Sequence, residues 1–108
     1  MAKVKAEIKK RIIKYYEAIK HEFPIKKIFL FGSHARGNPR EYSDIDIGVV
    51  IDLPARNEMK ILKKLWRYAR TIDCDIEPMC IFWSEFQDRA PASVLADIVK
   101  NGIDIVNA

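Results

Sequence analysis

Apolar residues recur at helical spacing in three parts of the chain. In the first 22 residues they lie three or four positions apart, which predicts a helix with one apolar face: Val4, Ile8, Ile12, Tyr15, Tyr16 and Ile19. Pro24 is expected to end this helix. The same spacing predicts a second helix from about Asn57 to Arg70. A third helix is predicted from Pro91 to Lys100, with Pro91 in its first turn and Gly102 as its stop.

The segments between these helices carry the patterns of β-strands. The run from Lys26 to Phe31 is short and apolar, as in a strand that is buried on both faces. Residues Ser43–Ile51 and Ile72–Phe82 alternate with a period of two, which predicts strands with one polar and one apolar face. Pro78 favours an edge position or a bulge late in the second of these. Residues Ile103–Val106 suit a short edge strand.

The order of these elements predicts an α/β (α+β) fold, in which a small mixed β-sheet is flanked by helices in the order αβ(β)αβα. The 108 residues have the length of one domain, so residues 1–108 are expected to form a single domain. A hydrophobic content of 49% excludes disorder. A charged content of 31% without a long apolar run excludes a membrane span.

The cysteines and the start of the chain indicate the compartment. The first ten residues are amphipathic and charged, unlike a secretory signal. Cys74 and Cys80 are too few for a disulfide framework, and we expect both to be core thiols on the apolar face of their strand. The spacing of His and Cys residues fits no zinc site. We therefore expect a cytoplasmic protein.

Charge is distributed unevenly along the chain, although the net charge is only +4. Residues 1–40 contain eleven Lys and Arg against three Glu, whereas residues 41–108 contain eight Lys and Arg against twelve Asp and Glu. The basic part is typical of a solvated helix face, with nucleic-acid binding as the alternative. The second helix also has a basic face, which we interpret as solvated surface, with partner docking as the alternative: Lys60, Lys63, Lys64, Arg67 and Arg70.

The acidic residues are grouped on two predicted strands. Asp44 and Asp46 share one face, about 6–7 Å apart along the strand, and Asp73, Asp75 and Glu77 share a face of the later strand. Neighbouring carboxylates repel unless a cation neutralises them, and Mg²⁺ prefers carboxylate oxygens together with substrate phosphates. If the strands pair, Asp75 or Glu77 supplies a third ligand. Three acids can hold two metal ions for in-line displacement at phosphorus; unpartnered surface acids are the alternative.

The turn after the first predicted strand has the composition of a phosphate-binding loop. Gly32 allows backbone N–H groups to approach a phosphate, and the Ser33 hydroxyl at a helix N-terminus favours an anion. Arg36 projects from the same turn and can bind phosphate oxygens bidentately, and Gly37 permits a sharp exit. The motif is neither Gly-x-x-x-x-Gly-Lys-Ser/Thr nor Gly-x-Gly-x-x-Gly, and an ordinary strand-to-helix turn is the alternative.

Gly32-Ser33, followed after ten residues by Asp44-Ile45-Asp46, resembles the signature of the DNA polymerase β-like nucleotidyltransferase superfamily. The fuller string Gly-Ser-His-Ala-Arg-Gly…Tyr-Ser-Asp-Ile-Asp-Ile is similar to that of the minimal nucleotidyltransferases, small prokaryotic proteins of about this length. The resemblance covers nearly the whole chain, to the closing segment Asn101–Val106. It implies the nucleotidyltransferase fold and an enzyme that transfers AMP from ATP.

The resemblance also implies roles for individual residues. Gly32 and Ser33 hold the β- and γ-phosphates of ATP with help from Arg36, and Asp44 and Asp46 bind two Mg²⁺ ions. A third acid on a later strand completes the site and activates the attacking hydroxyl. We expect Glu77 in this position, with Asp75 as the close alternative and Asp73 as a solvated residue at the start of the strand.

Relatives of this kind are typically encoded beside a HEPN-domain protein, an all-helical RNase. The resemblance therefore implies an antitoxin that adenylylates a tyrosine of such a partner, in a hetero-oligomer. The length of 108 residues agrees, because we expect a chain of this length to have no second domain that could bind a nucleic acid acceptor. Two alternatives are a binding module that neutralises its partner by occlusion alone and a nucleic-acid-binding domain.

Overall fold

The fold is built from nine short elements in a computed structural model that describes residues 5–37 and 44–108. In chain order these are α1 (Ala6–Ile19), β1 (Ile25–Phe31), α2 (Ser33–Arg36), β2 (Ile45–Ile51), α3 (Glu58–Ile72), β3 (Ile76–Phe82), α4 (Trp83–Gln87), α5 (Val94–Asn101) and β4 (Ile103–Asn107). The predicted first helix and second strand included Val4 and Ser43, which lie outside the described residues.

The strands form one four-stranded mixed sheet in the order β3-β2-β1-β4. Strand β1 is antiparallel to both β2 and β4, whereas β2 and β3 are parallel. The predicted mixed sheet is therefore confirmed, and so is the fourth strand at its edge. Strand β3 lies at the other edge, where the missing N–H of Pro78 is tolerated.

Most of the core lies between one face of the sheet and the helices α1 and α3. Alternate residues of β2 point into this layer and are fully buried: Ile45, Ile47, Val49 and Ile51. Tyr15 of α1 is also buried, and its hydroxyl donates a 2.7 Å hydrogen bond to the carbonyl oxygen of Leu65 in α3. Because a buried hydroxyl is costly without a partner, this bond fixes the contact between the two helices.

The other face of the sheet carries a much thinner layer. Its buried residues are few: Phe29, Val50, Ile81 and Phe86. Helix α5 has no buried side chain, although Leu95, Ile98 and Val99 pack partly against this cluster. Asp46 and Gly48 of β2 belong to the same face, because side chains alternate along a strand. This face therefore remains open beside the acidic residues.

The junction between α3 and β3 differs from the prediction. The strand was expected to begin at Ile72, but Ile72 ends α3, Asp73 follows as its C-terminal cap and β3 begins at Ile76. Asp73 and Asp75 therefore do not share a strand face with Glu77, and Cys74 is exposed rather than a core thiol. The apolar alternation continues backwards from β3 into α3, so the pattern alone does not locate the break.

The start of α5 and one short helix, α4, also differ from the prediction. Helix α5 begins after Ser93, whose hydroxyl accepts a 3.0 Å hydrogen bond from the N–H of Ala96, so Pro91 lies before its first turn. The predicted stop at Gly102 is confirmed. Helix α4 was not predicted, because five residues are too few to show helical periodicity. Helix α2 begins at Ser33, where a helix N-terminus was expected, and is only four residues long. Within residues 5–37 and 44–108, no helix is both long and apolar enough to cross a bilayer.

Candidate functional site

Two of the predicted acidic residues meet across the parallel pair of strands. Asp46 of β2 lies in register with Glu77 of β3, and neighbouring strands are about 4.8 Å apart. Phe31, the last residue of β1, is the partner of Asp46 on its other side. Asp44 lies one residue before β2 and is exposed. The topology thus brings three acids to one end of the sheet, where β1 enters the glycine turn.

The electrostatics of Glu77 reflect this crowding. Burial, a side-chain hydrogen bond with Asp46 and the negative charges of Asp44 and Asp46 raise the pKa of Glu77 to about 7. A carboxyl group that keeps its proton near neutral pH indicates that negative charge is in excess at this point. A bound cation would relieve this excess of negative charge.

The donor set consists of carboxylate oxygens, which is the chemistry that a hard divalent cation such as Mg²⁺ requires. Within residues 5–37 and 44–108, however, no group of three or more His, Cys, Asp or Glu side chains is arranged so that it could hold a metal ion. The interaction between Glu77 and Asp46 runs through a hydrogen bond instead. Asp44, Asp46 and Glu77 therefore have the chemistry of a metal site, but their side chains would have to reorient to bind an ion together.

The glycine turn packs directly against one of these acids. Gly32 has a φ of +76°, and a Cβ at this position would overlap Oδ2 of Asp46. Both the backbone conformation and the close approach therefore require glycine. Helix α2 follows at once, and Gly37, with a φ of +79°, ends it by donating its N–H to the carbonyl oxygen of Ser33. The sharp exit predicted at Gly37 is confirmed.

A cleft of about 990 Å³ opens over this turn. It is lined by residues of the first two strands, of α2 and of α5: Phe31, Gly32, Ala35, Arg36, Asp46, Asp97, Ile98 and Asn101. The cleft brings together Gly32, Arg36 and Asp46, whereas Ser33, Asp44 and Glu77 are not among its lining residues. Its volume is of the size that small-molecule sites have.

The wall that α5 contributes to this cleft was not anticipated. Asp97 and Asn101 lie four residues apart, on the same side of the helix, and the side-chain amide of Asn101 donates to the Asp97 carbonyl and carboxylate at 3.0 and 3.2 Å. The local signal is this polar pair, which stands with Lys100 in a helix whose other residues are apolar. Its relation to Gly32 depends on the chain returning across the sheet, which no short pattern shows.

The alternative third acids lie elsewhere. Asp73 accepts hydrogen bonds from Nε and Nη2 of Arg11 at 2.5 and 2.6 Å, and Asp75 accepts one from Nη2 at 2.7 Å. These bonds lower the pKa of Asp73 and raise that of Arg11. Glu77 is thus the acid that faces Asp46, while Asp75 faces a guanidinium; their roles as metal ligands stay predictions.

The prediction for the second cysteine is confirmed by the structure. Cys80 is buried, as predicted, and burial raises the pKa of its thiol to about 11. A thiol with a raised pKa is a poor nucleophile, so Cys80 is a packing residue.

On the basic face of α3, Lys64 forms a 3.1 Å ion pair with Glu22 across the surface between α1 and α3.

Comparison with known proteins gives a family match over most of the chain. The family described as "Nucleotidyltransferase domain" matches residues 12–104. A protein of Methanocaldococcus jannaschii, named provisionally as a protein adenylyltransferase, is 38% identical over 76 residues, which are 68% of this chain and 76% of that protein. Another with the same provisional name in that organism is 46% identical over 50 residues, which are 46% of this chain. The match spans only 50% of that relative's length.

Solved structures agree with the fold. A protein from Sulfolobus solfataricus, described provisionally as a nucleotidyltransferase, superposes with a TM-score of 0.63 at 22% identity, covering 94% of this chain and 81% of its own. A structure described as a toxin-antitoxin with AMP-PNP gives a TM-score of 0.56 at 25% identity, covering 93% of this chain and 73% of its own. The toxin-antitoxin MntA-HepT gives 0.51 at 21% identity, covering 96% and 74%.

These matches confirm the resemblance found in the sequence, including its likeness to the minimal nucleotidyltransferases. The family match includes the glycine turn, all three acids that crowd the end of the sheet and the α5 wall of the cleft. The chain belongs to the nucleotidyltransferase domain family.

Proposed function

We propose that this protein is a Mg²⁺-dependent nucleotidyltransferase that moves AMP from ATP to a hydroxyl group, on a tyrosine of a separate helical partner of the HEPN type. One observation carries the proposal: Gly32 is packed against Asp46, which lines the cleft and lies beside Glu77 on the neighbouring strand. A phosphate-binding turn and a pair of carboxylates in contact are the two parts that transfer of a nucleotidyl group needs.

The reaction divides between the turn and the acids. The backbone of Gly32, the hydroxyl of Ser33 and the guanidinium of Arg36 hold the β- and γ-phosphates. Two Mg²⁺ ions bound by Asp44, Asp46 and Glu77 would supply positive charge to the α-phosphate and to the pyrophosphate that leaves. The acceptor oxygen forms a bond to the α-phosphorus as the bond to the bridging oxygen breaks. Glu77 accepts the proton of the acceptor hydroxyl, with Asp75 as the alternative.

The choice of a protein acceptor is supported by the relatives. Several are named provisionally as protein adenylyltransferases, and two structural neighbours are described as toxin-antitoxin complexes. An antitoxin role with ATP as donor follows from extending those descriptions to this chain, and the cytoplasm is the compartment expected from its sequence. The face of the sheet beside the acids is only loosely covered, because α5 packs against it without a single buried side chain. This loose cover agrees with an acceptor that brings its own surface.

The proposal is tested with the full chain, α-labelled ATP, Mg²⁺ and the protein encoded next to it. We expect label on the partner with the wild type and at least a hundredfold loss with Asp44→Asn or Asp46→Asn. Asp104→Asn is the matched control, because Asp104 is an exposed carboxylate in β4, paired with Lys27 at 3.1 Å. Equal labelling by all variants, or labelling of no acceptor, would overturn the proposal. Neutralisation of a toxic partner by Asp46→Asn would favour occlusion alone.

A further inference from the structure

We propose that Arg11 of α1 is a positioning residue for the acidic site, and that it acts through the turn of residues 73–76. The inference rests on the proposed function, because it concerns the carboxylates that would hold the metal. Arg11 lies 62 residues from its main partner, Asp73. Its side-chain hydrogen bonds go to Asp73 and Asp75, not to the three acids at the end of the sheet. Its effect must therefore be transmitted through the backbone.

The first step is the contact between Arg11 and the turn. The guanidinium donates two hydrogen bonds to Asp73, at 2.5 and 2.6 Å, and one to Asp75 at 2.7 Å. The Asp73 side chain is only 13% exposed and that of Arg11 30% exposed, so the pair is partly withdrawn from solvent. A guanidinium that binds one carboxylate bidentately is fixed in orientation as well as in position. Helix α1 thus holds two successive acidic residues of the turn.

The second step is the turn itself. The carboxylate of Asp73 also accepts a 3.1 Å hydrogen bond from the backbone N–H of Asp75. The backbone carbonyl oxygen of Asp73 accepts another, of 3.1 Å, from the N–H of Ile76. Asp73 therefore joins the end of α3 to the first residue of β3. Without the charge of Arg11, the side chain that organises this turn would be a half-buried carboxylate facing Asp75, and like charges would drive the two apart.

The third step reaches the acids. The carbonyl oxygen of Asp75 accepts a 2.8 Å hydrogen bond from the N–H of Ile45, the first residue of β2. Ile45 lies between Asp44 and Asp46, and its partner in register, Ile76, directly precedes Glu77. A shift of the Asp75 carbonyl therefore moves the start of both strands, and with it the relative positions of all three carboxylates. Metal ligands depend strongly on groups that orient them from outside.

The test compares Arg11→Met with Lys27→Met in the full chain. Methionine keeps much of the aliphatic stem and removes the charged group. Lys27 is the matched control, since its side chain is 22% exposed and forms a 3.1 Å ion pair with Asp104 between β1 and β4, at the far end of β1 from Gly32. Binding of Mn²⁺ alone is measured by electron paramagnetic resonance, and thermal unfolding is measured in parallel. Arg11→Lys is the conservative variant.

We expect Arg11→Met to weaken Mn²⁺ binding by about tenfold, the lower end of what loss of an outer orienting group costs. Arg11→Lys should recover part of this loss, and Lys27→Met should bind Mn²⁺ as the wild type does at a comparable loss of thermal stability. Amide hydrogen exchange gives a second readout: in Arg11→Met the Ile45 N–H should exchange faster relative to that of Val49, which lies deeper in β2.

The outcomes separate the two proposals. Wild-type Mn²⁺ affinity in Arg11→Met, with affinity abolished by Asp46→Asn, would overturn the positioning role and leave the proposed function standing. No difference between the wild type and Asp46→Asn would overturn both. If Arg11→Met fails to fold, Asp73→Asn replaces it, since asparagine can still accept from the Asp75 N–H but gives up the ionic pair with Arg11.

Discussion

At the scale of single residues, the site depends on how closely the chain can approach itself. Gly32 touches Asp46 because it has no side chain, and its φ of +76° is one that other residues adopt only under strain. The same residue thus satisfies a steric and a conformational demand at once. Comparing alanine at Gly32 with alanine at Gly37, which has a similar φ, separates these two demands.

We predict that Gly32→Ala destabilises the protein by roughly 1–3 kcal/mol and also removes Mn²⁺ binding, because the new Cβ displaces the Asp46 carboxylate. Urea unfolding measures the first effect and metal titration the second. Gly37→Ala is the control, since Gly37 has a similar φ of +79°. We expect it to lose stability and keep metal affinity; an equal loss of metal affinity in both variants would show that strain alone is responsible.

Removing a charge from the crowded acids Asp44, Asp46 and Glu77 should raise stability, whereas Gly32→Ala should lower it. In Asp46→Asn one of the charges that raise the pKa of Glu77 is gone. We predict that without divalent cations this variant is more stable than the wild type by about 1 kcal/mol, the interaction of two unit charges at contact in water. Thermal unfolding in EDTA measures this gain.

Adding Mg²⁺ should reverse the order of the two proteins. Ligands that bind only the folded state stabilise it, so the wild type should gain stability with Mg²⁺ and Asp46→Asn should not. Asp104→Asn again serves as the control and should respond to Mg²⁺ as the wild type does. A wild type that is already the more stable protein in EDTA would contradict repulsion among Asp44, Asp46 and Glu77.

The residues of the candidate site differ in how far a sequence reveals them. Alternation along β2 is local, so it correctly assigned Ile45 and Ile47 to the core and Asp46 to the opposite face. The pairing of β1 with β2 that brings Asp46 to Gly32 was not predicted, although the resemblance placed both residues in one site. Arg11 carried no such signal, because its partner Asp73 is brought to it only by the packing of α1 against α3.

At the scale of elements, the junction between α3 and β3 is held by charge. Arg11 lowers the pKa of Asp73 below its ordinary value of 3.8 through hydrogen bonds and charge. An acid with a lowered pKa in the folded state contributes stability that is present above its unfolded pKa and is lost as the pH falls through the folded one. This junction should therefore lose its stabilising effect below about pH 4, where the unfolded chain takes up a proton at Asp73 before the folded protein does.

We predict that Asp73→Asn lowers stability at neutral pH and makes the loss of stability between about pH 4 and pH 2 shallower than in the wild type. Urea unfolding at a series of pH values measures both slopes. Arg11→Met should give the same flattening, since it removes the group that lowers the pKa of Asp73. An acid limb as steep as that of the wild type in both variants would show that other carboxylates govern acid unfolding.

Element boundaries were predicted well where the end of an element has its own local chemistry. Gly102 was correctly identified as the stop of α5, because glycine marks such ends. The start of α5 depends on the hydroxyl of Ser93, and Pro91 two residues earlier gave the stronger but wrong signal. Helix α4 begins where Glu85 accepts a 3.1 Å hydrogen bond from the N–H of Phe82, a contact too local to alter the periodicity.

At the scale of the whole molecule, the two faces of the sheet are stabilised unequally. Helices α1 and α3 bury four and three side chains respectively, whereas α5 buries none. The cleft and the acids lie on the weaker side, where α5 forms one wall. Regions with few buried contacts open more readily than the rest of a protein, and ligand-binding walls are often of this kind. The strands that carry the acids are therefore supported mainly by α1 and α3, which do not line the cleft.

This asymmetry predicts the pattern of hydrogen exchange. In the nucleotide-free protein, amides of α5 should exchange at least about tenfold faster than those of α1 and α3, because α5 can open without disturbing the main core. A non-hydrolysable ATP analogue with Mg²⁺ should slow exchange in α5 by closing the cleft against Asp97 and Asn101. Mass spectrometry of peptic fragments measures both effects.

Two variants make this last prediction specific. Ser93→Ala removes the N-terminal cap of α5 and should speed its exchange further, leaving α1 and α3 unchanged. Asp46→Asn should keep the fast exchange of α5 and lose the protection by nucleotide. If α5 is as protected as α1 before nucleotide is added, the thin layer is more stable than its burial implies, and the cleft is then a preformed site rather than one that its ligand completes.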